Sequence, residues 1–259
     1  MDICWLEQNE RDVPRGDAWL SASERARLDG LLVPKRRADW RLGRWTAKCA
    51  VSGYLKLPGD PEALAETELR PAPSGAPRVF LHGEPAPVAL SLSHSGCTGF
   101  CAIAPSGSEV GCDLETVEPR SLAFLADYFT NEERELVAQT EIANRDRVLT
   151  LLWSAKESAL KALRRGLRLD TRSVNADPSN FPQTRDEEWR RVRVAHLGGR
   201  TFHGWWRQSR DLVYTVVADP PPRRLVALQL DNKTPQPMTD PGEWRRGGAR
   251  VPESRKAGG

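Results

Sequence analysis

Two acidic residues one strand step apart are the first candidates for chemistry. In an extended strand, the segment GCDLE places Asp113 and Glu115 on one face and Cys112 and Leu114 on the other. Neighbouring carboxylates repel unless a cation lies between them, and Mg²⁺ prefers oxygen ligands. The motif therefore indicates either a magnesium site or, taken alone, two solvated acids at a strand edge.

A helical segment, WSAKESALKAL, supplies a third acid. On a helix Glu157 and Lys161 share a face with Trp153, while Lys156 points to a neighbouring face. The functional interpretation makes Glu157 a third metal ligand or a general base, and it places Lys161 where it can neutralise phosphate charge. The alternative is an ordinary ion pair between residues four apart, which stabilises a helix only slightly.

Two further segments are typical of phosphate binding. SLSHSG ends a predicted strand with Ser93 and His94, which could hold a phosphate or form a structural turn. KRRADWRLGRWTAK contains six Lys or Arg and one acid. Its basic residues, most of them on one helical stripe, are Lys35, Arg36, Arg37, Arg41, Arg44 and Lys48. Such a stripe either binds several phosphates or is a solvated helix face.

The elements that must position these residues follow the same order twice. Periodicity and capping boxes predict long helices over 35–57 and 146–165, the second ended by Gly166, and shorter ones over 21–30 and 132–139. Strands are predicted over 3–6, 78–81, 88–93, 98–104, 109–115, 191–196, 201–207, 212–218 and 225–230, and loops over 58–77 and 177–188. No sequence repeat is visible, but the repeated order predicts two similar α+β halves. The tail 231–259 is predicted to be disordered.

Composition narrows the class of protein. The chain has 259 residues, of which 39% are hydrophobic and 28% charged, as in ordinary globular proteins. It has neither an apolar run long enough to span a membrane nor a start typical of a signal peptide, so a cytoplasmic protein is expected. The five cysteines are scattered without a Cys-x-x-Cys pair, which predicts buried reduced thiols and excludes the common zinc patterns.

The motifs together resemble a known family. GCDLE, followed about forty residues later by WSAKESALKAL, resembles the signature of the 4'-phosphopantetheinyl transferases, a Gly-x-Asp-x-Glu strand and a Trp/Phe-x-x-Lys-Glu-x-x-x-Lys helix. SLSHSG resembles the family's Ser-His-Ser element. KRRADWRLGRWTAK is similar to the basic helix of the larger, surfactin-synthetase type members. The resemblance extends over residues 1–230 in order and spacing.

The resemblance implies a fold, a reaction and a set of site residues. The α/β (α+β) fold would be a pseudo-dimer of two similar halves, 1–106 and 107–230, each a long helix on a small mainly antiparallel sheet, with the active site at their interface. The reaction would transfer 4'-phosphopantetheine from coenzyme A to a serine of an apo acyl or peptidyl carrier protein. Asp113, Glu115 and Glu157 would hold Mg²⁺, and these three with Lys161 form the catalytic set. Coenzyme A contacts are implied at Lys35, Arg37, Arg44, Lys48, Gly75, Arg78, Ser93, His94, Lys156 and Lys161. Ala76 replaces the basic residue of the family's Gly-Lys-Pro loop, and Arg78 is the candidate substitute.

Two other functions compete with this interpretation. A magnesium-dependent nuclease would also use acids and a lysine near phosphate, but the net charge of +3 is low for a DNA-binding protein, so no nucleic-acid partner is expected. A non-catalytic module that binds carriers or nucleotides has little need for three clustered acids. The two halves in one chain predict a monomer with no membrane partner, serving polyketide or nonribosomal peptide synthesis.

Overall fold

Two long helices, each lying against its own sheet, dominate the computed structural model, which describes residues 1–164, 169–178, 181 and 187–230. The helices of the described residues are α1 (Ala22–Asp29), α2 (Pro34–Leu55), α3 (Pro61–Ala65), α4 (Leu122–Tyr128), α5 (Asn131–Gln139) and α6 (Arg145–Ala162). The strands are β1 (Asp2–Asn9), β2 (Thr67–Pro71), β3 (Pro77–Leu81), β4 (Glu84–Pro85), β5 (Val88–Ser95), β6 (Thr98–Pro105), β7 (Glu109–Thr116), β8 (Val174–Asp177), β9 (Arg190–His196), β10 (Thr201–Ser209), β11 (Leu212–Asp219) and β12 (Arg224–Ala227). The predicted mixed α/β class is confirmed.

The strands form three sheets in the described part of the chain. The first has the order β12-β1-β6-β5, the second β7-β11-β10-β9-β8, and the third, a small one, β2-β3-β4. All neighbouring strands are antiparallel except β1 and β12, which are parallel. Helix α2 packs on the first sheet and α6 on the second. Strands β5 and β7 each lie at an edge of their sheet and contact one another.

Three hydrophobic clusters hold these layers together. One lies around α6 and a second around α2. The third lies between the first two sheets and joins Ile3 and Phe100 of one to Cys112 and Tyr214 of the other. The rings of Phe100 and Tyr214 meet edge to face, with centroids 5.2 Å apart. The faces of the two sheets that point away from their helices therefore share one core.

The main departures from the predicted elements are short strands. Strand β2 lies in the stretch predicted as loop, where only Thr67 and Leu69 are buried, so its alternation covers too few residues to stand out from sequence. Strand β8, with two buried residues, was missed for the same reason. The predicted stop at Gly166 and the tail 231–259 lie outside the described residues. The division at residues 106 and 107 stays a prediction.

A buried ion pair ties α2 to the helix before it. Glu24 closes the capping box of α1 with Ser21, and its carboxylate Oε2 also lies 2.6 Å from Nζ of Lys48 on α2. Its other oxygen accepts a hydrogen bond of 3.1 Å from the Leu69 backbone N–H. Both members of the pair are almost fully buried, with 0% and 3% of the side-chain surface exposed. One carboxylate thus connects α1, α2 and β2.

The same arrangement recurs around α6. Glu133 closes the capping box of α5 with Thr130, and its Oε2 lies 2.6 Å from Nζ of Lys156. Its other oxygen accepts a 2.8 Å hydrogen bond from the Ala176 backbone N–H of β8. The Lys156 ammonium also donates to the Val174 carbonyl at 2.6 Å. The two long helices are therefore anchored by equivalent buried pairs.

No helix of the described residues combines the length and the apolar character required to cross a bilayer.

Candidate active site between β5, β7 and α6

Strand β7 presents its two acids to α6, as the alternation predicted. Cys112 and Leu114 belong to the core between the sheets, whereas Asp113 and Glu115 contact side chains of α6. Gly111, one strand step before Asp113, lies directly beneath the helix. A Cβ atom there would collide with the carbonyl oxygen of Ser158 and lie 2.8 Å from the Ala162 nitrogen. The glycine of the motif is what lets the helix approach the acidic strand.

Helix α6 supplies three side chains from successive turns to this face. Trp153 donates from Nε1 to Glu115 Oε1 at 3.0 Å, and Lys161 donates from Nζ to Asp113 Oδ1 at 2.7 Å. Glu157 lies between them in sequence, four residues from each. The spacing of four residues keeps all three on one side of the helix, so the predicted face is confirmed.

Strand β5 closes the cluster from the first sheet. Ser93 Oγ donates to Asp113 Oδ1 at 2.8 Å, and Lys161 Nζ lies 3.1 Å from both Ser93 Oγ and the Cys112 carbonyl oxygen. Ser91, two residues earlier, accepts a 3.0 Å hydrogen bond from the Cys112 backbone N–H. Two serines thus join the edge strands, and the acidic cluster lies where the two sheets meet.

The carboxylates are close enough to perturb one another. Burial raises the pKa of Glu157 to about 7, with a further contribution from the negative charge of Asp113 and opposition from Lys161. Burial and then Asp113 also raise the pKa of Glu115, while the charge of Arg120 opposes the shift. Burial, the largest single cause, would lower the pKa of Lys161, but the interactions with Asp113, Cys112 and Glu157 together outweigh it and the net pKa is raised. Such a set of mutually perturbed groups is typical of functional sites.

Within the acidic cluster, two buried carboxylate oxygens have no hydrogen-bond partner in the described structure: Asp113 Oδ2 and Glu157 Oε1. Oxygen donors of this kind suit a hard cation such as Mg²⁺. As the side chains stand, no group of three or more His, Cys, Asp or Glu among the described residues could hold a metal ion. In this arrangement Lys161 lies on Asp113, while Arg120 and Trp153 hold the two oxygens of Glu115.

A cavity of about 810 Å³ lies beside the acids, and its wall includes Lys161. Four of the residues predicted to bind coenzyme A line it, namely Arg44, Gly75, Arg78 and Lys161. Ala76 and Pro77 line it as well, so the SGAP loop forms part of the wall. The volume lies within the usual range of small-molecule sites, roughly 300–1,000 Å³. The cavity therefore extends from the predicted nucleotide loop to Lys161, the lysine that contacts Asp113 of the acidic cluster.

Comparison with known proteins supports an assignment. Residues 109–217 match the family described as the 4'-phosphopantetheinyl transferase superfamily. The chain is 30% identical over 165 residues to the 4'-phosphopantetheinyl transferase HetI of Nostoc sp. strain PCC 7120, a match that covers 62% of this chain and 67% of HetI. It is 26% identical over 166 residues to slr0495 of Synechocystis sp. strain PCC 6803, provisionally named as the same transferase, covering 63% and 65% of the two chains. The chain belongs to the 4'-phosphopantetheinyl transferase superfamily. The predicted enzyme class is thereby confirmed.

Two lysines predicted to bind coenzyme A lie in buried ion pairs of this transferase. Lys48 and Lys156 have no exposed side-chain surface, and their ammonium groups are bound to the buried acids Glu24 and Glu133. Neither lysine belongs to the described wall of the cavity. Moving either ammonium towards a ligand would break a buried ion pair, which is costly. Arg44, at 3.8 Å, would be the remaining cation beside Glu24. The structure gives both lysines a structural position in place of the predicted contact.

Four other predicted contacts, Lys35, Arg37, Ser93 and His94, also lie outside the described cavity wall. Lys35 is 78% exposed and pairs with Asp39 at 3.0 Å, and Arg37 donates to the Leu28 carbonyl at 2.6 Å. His94 is exposed on β5. The basic stripe of α2 is therefore used mainly to hold neighbouring segments, and only Arg44 of the predicted stripe residues reaches the cavity.

Arg120 and the donor role of Trp153 were not predicted from the sequence. Arg120 Nη2 lies 3.2 Å from Glu115 Oε2, and its guanidinium stacks over the Phe124 ring at 5.0 Å. Arg120 lies in an irregular segment between β7 and α4, where no periodic pattern points to it. Trp153 was placed on the correct face, but its hydrogen bond depends on the height of α6 above β7, which only the fold determines.

The five cysteines are free thiols, and Cys49, Cys101 and Cys112 are buried, as predicted. Cys97 is exposed.

Proposed function

We propose that this transferase moves the 4'-phosphopantetheine arm of coenzyme A onto a serine of an apo carrier protein. The observation that supports this most directly is the position of Lys161, which lies in the wall of the cavity and 2.7 Å from Asp113 in the acidic cluster. A coenzyme A nucleotide in the cavity would bring its pyrophosphate to that end. The carrier serine would attack the β-phosphate, and adenosine 3',5'-bisphosphate would leave.

Asp113, Glu115 and Glu157 are the residues that would hold Mg²⁺. The partnerless oxygens Asp113 Oδ2 and Glu157 Oε1 and the all-carboxylate donor set fit this ion. When bound, it would supply positive charge to the pyrophosphate oxygens. Phosphoryl transfer of this kind depends on positioning and charge neutralisation more than on covalent help from the protein.

The chain's own residues divide the remaining tasks. Lys161 would contact the pyrophosphate, and Ser93 would orient both Lys161 and Asp113 through its two hydrogen bonds. Glu157 would accept the proton of the attacking serine, ligate the metal, or do both, since its Oε1 is free of hydrogen bonds in the described structure. Arg44 and Arg78 would contact the nucleotide phosphates from the cavity wall.

The proposal extends to architecture and setting. Equivalent ion pairs on α2 and α6 support a pseudo-dimer of two halves, divided near residue 106, with the active site at their interface. We place the chain in the surfactin-synthetase type, acting as a cytoplasmic monomer on acyl or peptidyl carrier proteins of polyketide or nonribosomal peptide synthesis. The basic helix α2 supports this type.

Intact-mass measurement of a panel of apo carrier proteins tests the reaction. Incubation with coenzyme A, Mg²⁺ and the enzyme should add one phosphopantetheine to at least one carrier, with release of adenosine 3',5'-bisphosphate. The controls are a reaction without enzyme and a reaction in which pantetheine, which carries no phosphate, replaces coenzyme A. Failure on every carrier, together with magnesium-dependent cleavage of DNA, would favour the nuclease alternative.

A further inference from the structure

The acidic cluster carries its own counter-ions. Lys161 Nζ lies 2.7 Å from Asp113 Oδ1, and Arg120 Nη2 lies 3.2 Å from Glu115 Oε2. Both carboxylates are mostly buried, with 5% and 25% of their side-chain surface exposed. Two cations thus face three acids, and any divalent cation entering the cluster must compete with them for the same oxygens.

Of the two counter-ions, Lys161 is the one that could also contact a ligand in the cavity. Its other hydrogen-bond partners are the neutral Ser93 hydroxyl and Cys112 carbonyl, and its side chain lines the cavity with 28% of its surface exposed. Arg120, in contrast, is held by Glu118 at 3.2 Å and by the Phe124 ring as well as by Glu115. An anionic phosphate in the cavity would therefore attract Lys161 more easily than Arg120.

We propose that Lys161 is an exchangeable counter-ion that competes with the divalent cation for Asp113 and is released when a phosphate group in the cavity binds it. Metal binding by itself is then weak, and phosphate binding strengthens it by freeing Asp113 Oδ1. The coupling is reciprocal, so metal also strengthens phosphate binding. This inference rests on the proposed metal site, and it adds that the binding of the metal and the binding of the phosphate are coupled through Lys161.

Direct titration with Mn²⁺, followed by the electron paramagnetic resonance signal of the free ion, tests the competition without any turnover. Lys161→Gln keeps a hydrogen-bond donor but removes the charge, and it should bind Mn²⁺ about fivefold or more tightly than wild type, in the range of ordinary coupling between sites. Lys161→Arg keeps the charge and should bind like wild type. Arg164→Gln removes a cavity charge that makes no ion pair with the acids in the described structure, and it should also bind like wild type.

A second titration measures the coupling itself. Saturating adenosine 3',5'-bisphosphate should raise the Mn²⁺ affinity of wild type by a larger factor than that of Lys161→Gln, because the variant has no ion pair to release. Equal factors would refute the exchange. Thermal unfolding of each variant shows that it is folded, and Lys161→Met replaces Lys161→Gln if the glutamine variant does not fold.

Asp113→Asn separates this inference from the proposed function. If wild type and Lys161→Gln fail to bind Mn²⁺ at millimolar concentration, or if Asp113→Asn leaves binding unchanged, the proposed metal site is wrong. If Asp113→Asn abolishes binding but Lys161→Gln binds no more tightly than wild type, the metal site stands and the competing role of Lys161 is overturned.

Discussion

Replacing Lys156 with methionine distinguishes a structural lysine from a ligand contact. The change keeps most of the aliphatic side chain but removes the ammonium that Glu133 Oε2 meets at 2.6 Å, in a pair whose members are 0% and 1% exposed. It also leaves the Val174 carbonyl without its 2.6 Å donor. Glu133 keeps two backbone donors, from Thr130 at 2.9 Å and Ala176 at 2.8 Å, which limit the loss.

Removing one partner of a buried pair generally costs 3–5 kcal/mol, so with the two remaining donors we expect the free energy of unfolding to fall by about 3 kcal/mol. For a chain of this size that corresponds to a fall of roughly 6–12 °C in the unfolding midpoint. Circular dichroism during heating measures it. Lys48→Met should behave alike, since Lys48 is paired in the same way to Glu24, and Lys35→Met should have no effect because Lys35 is 78% exposed.

Calorimetric titration with coenzyme A supplies the second measurement. The folded Lys156→Met protein should bind coenzyme A with the affinity of wild type, because the lysine lies outside the described cavity wall. A variant that unfolds at the wild-type midpoint and loses affinity for coenzyme A would refute the structural assignment and restore Lys156 as a ligand contact.

Three further changes test the site. Gly111→Ala should lower the free energy of unfolding by more than about 4 kcal/mol and prevent stable folding, because the added Cβ meets the backbone of α6. The control Gly16→Ala, with no atom within 4 Å of its Cβ, should leave the thermal unfolding midpoint unchanged. Trp153→Phe removes the charge-assisted hydrogen bond to Glu115, worth about 1.5 kcal/mol, and should slow transfer roughly tenfold when the rate is followed by intact mass. The control Trp45→Phe should leave the transfer rate of the folded enzyme unchanged. Glu157→Ala should abolish transfer without unfolding the protein, and normal turnover would remove it from the site. Chelation of divalent metal should stop transfer, and added Mg²⁺ should restore it.

The local geometry of the site was predictable from short-range rules. Alternation along a strand placed Asp113 and Glu115 opposite Cys112, and helical spacing placed Glu157 and Lys161 together. These rules hold wherever a strand or helix forms, so they did not depend on knowing the fold. The structure adds the contact between the two faces.

The lysines of the long helices were less predictable, since their surroundings come from distant segments. A lysine on an amphipathic helix is solvated by default, and it can be buried only if a partner reaches it. For Lys48 that partner is Glu24, and for Lys156 it is Glu133, each more than twenty residues earlier. Both glutamates belong to capping boxes that helped to predict the short helices, but a capping box does not reveal a second partner.

A repeat that escaped notice in the sequence becomes clear once these pairs are aligned. WTAK ends at Lys48 and WSAK ends at Lys156. In the first, Trp45 donates from Nε1 to Gln8 of β1 at 2.6 Å, and in the second Trp153 donates to Glu115 of β7 at 3.0 Å. The tryptophan and lysine therefore perform the same packing task twice, which supports the proposed two-half architecture.

Two of the positions at which the two helices differ are those proposed for chemistry. One residue after the shared lysine stands Cys49 in α2 and Glu157 in α6, and five residues after it stand Gly53 and Lys161. Gly53 leaves room for the chain's own Leu230, whose Cδ2 would lie 3.3 Å from a Cβ at that glycine. At these two positions α6 has Glu157 and Lys161, which are proposed to act in the reaction, whereas in α2 Gly53 packs against the chain's own Leu230. In the proposed two-half architecture, the same helical scaffold would therefore hold site residues in one half and a packing contact in the other.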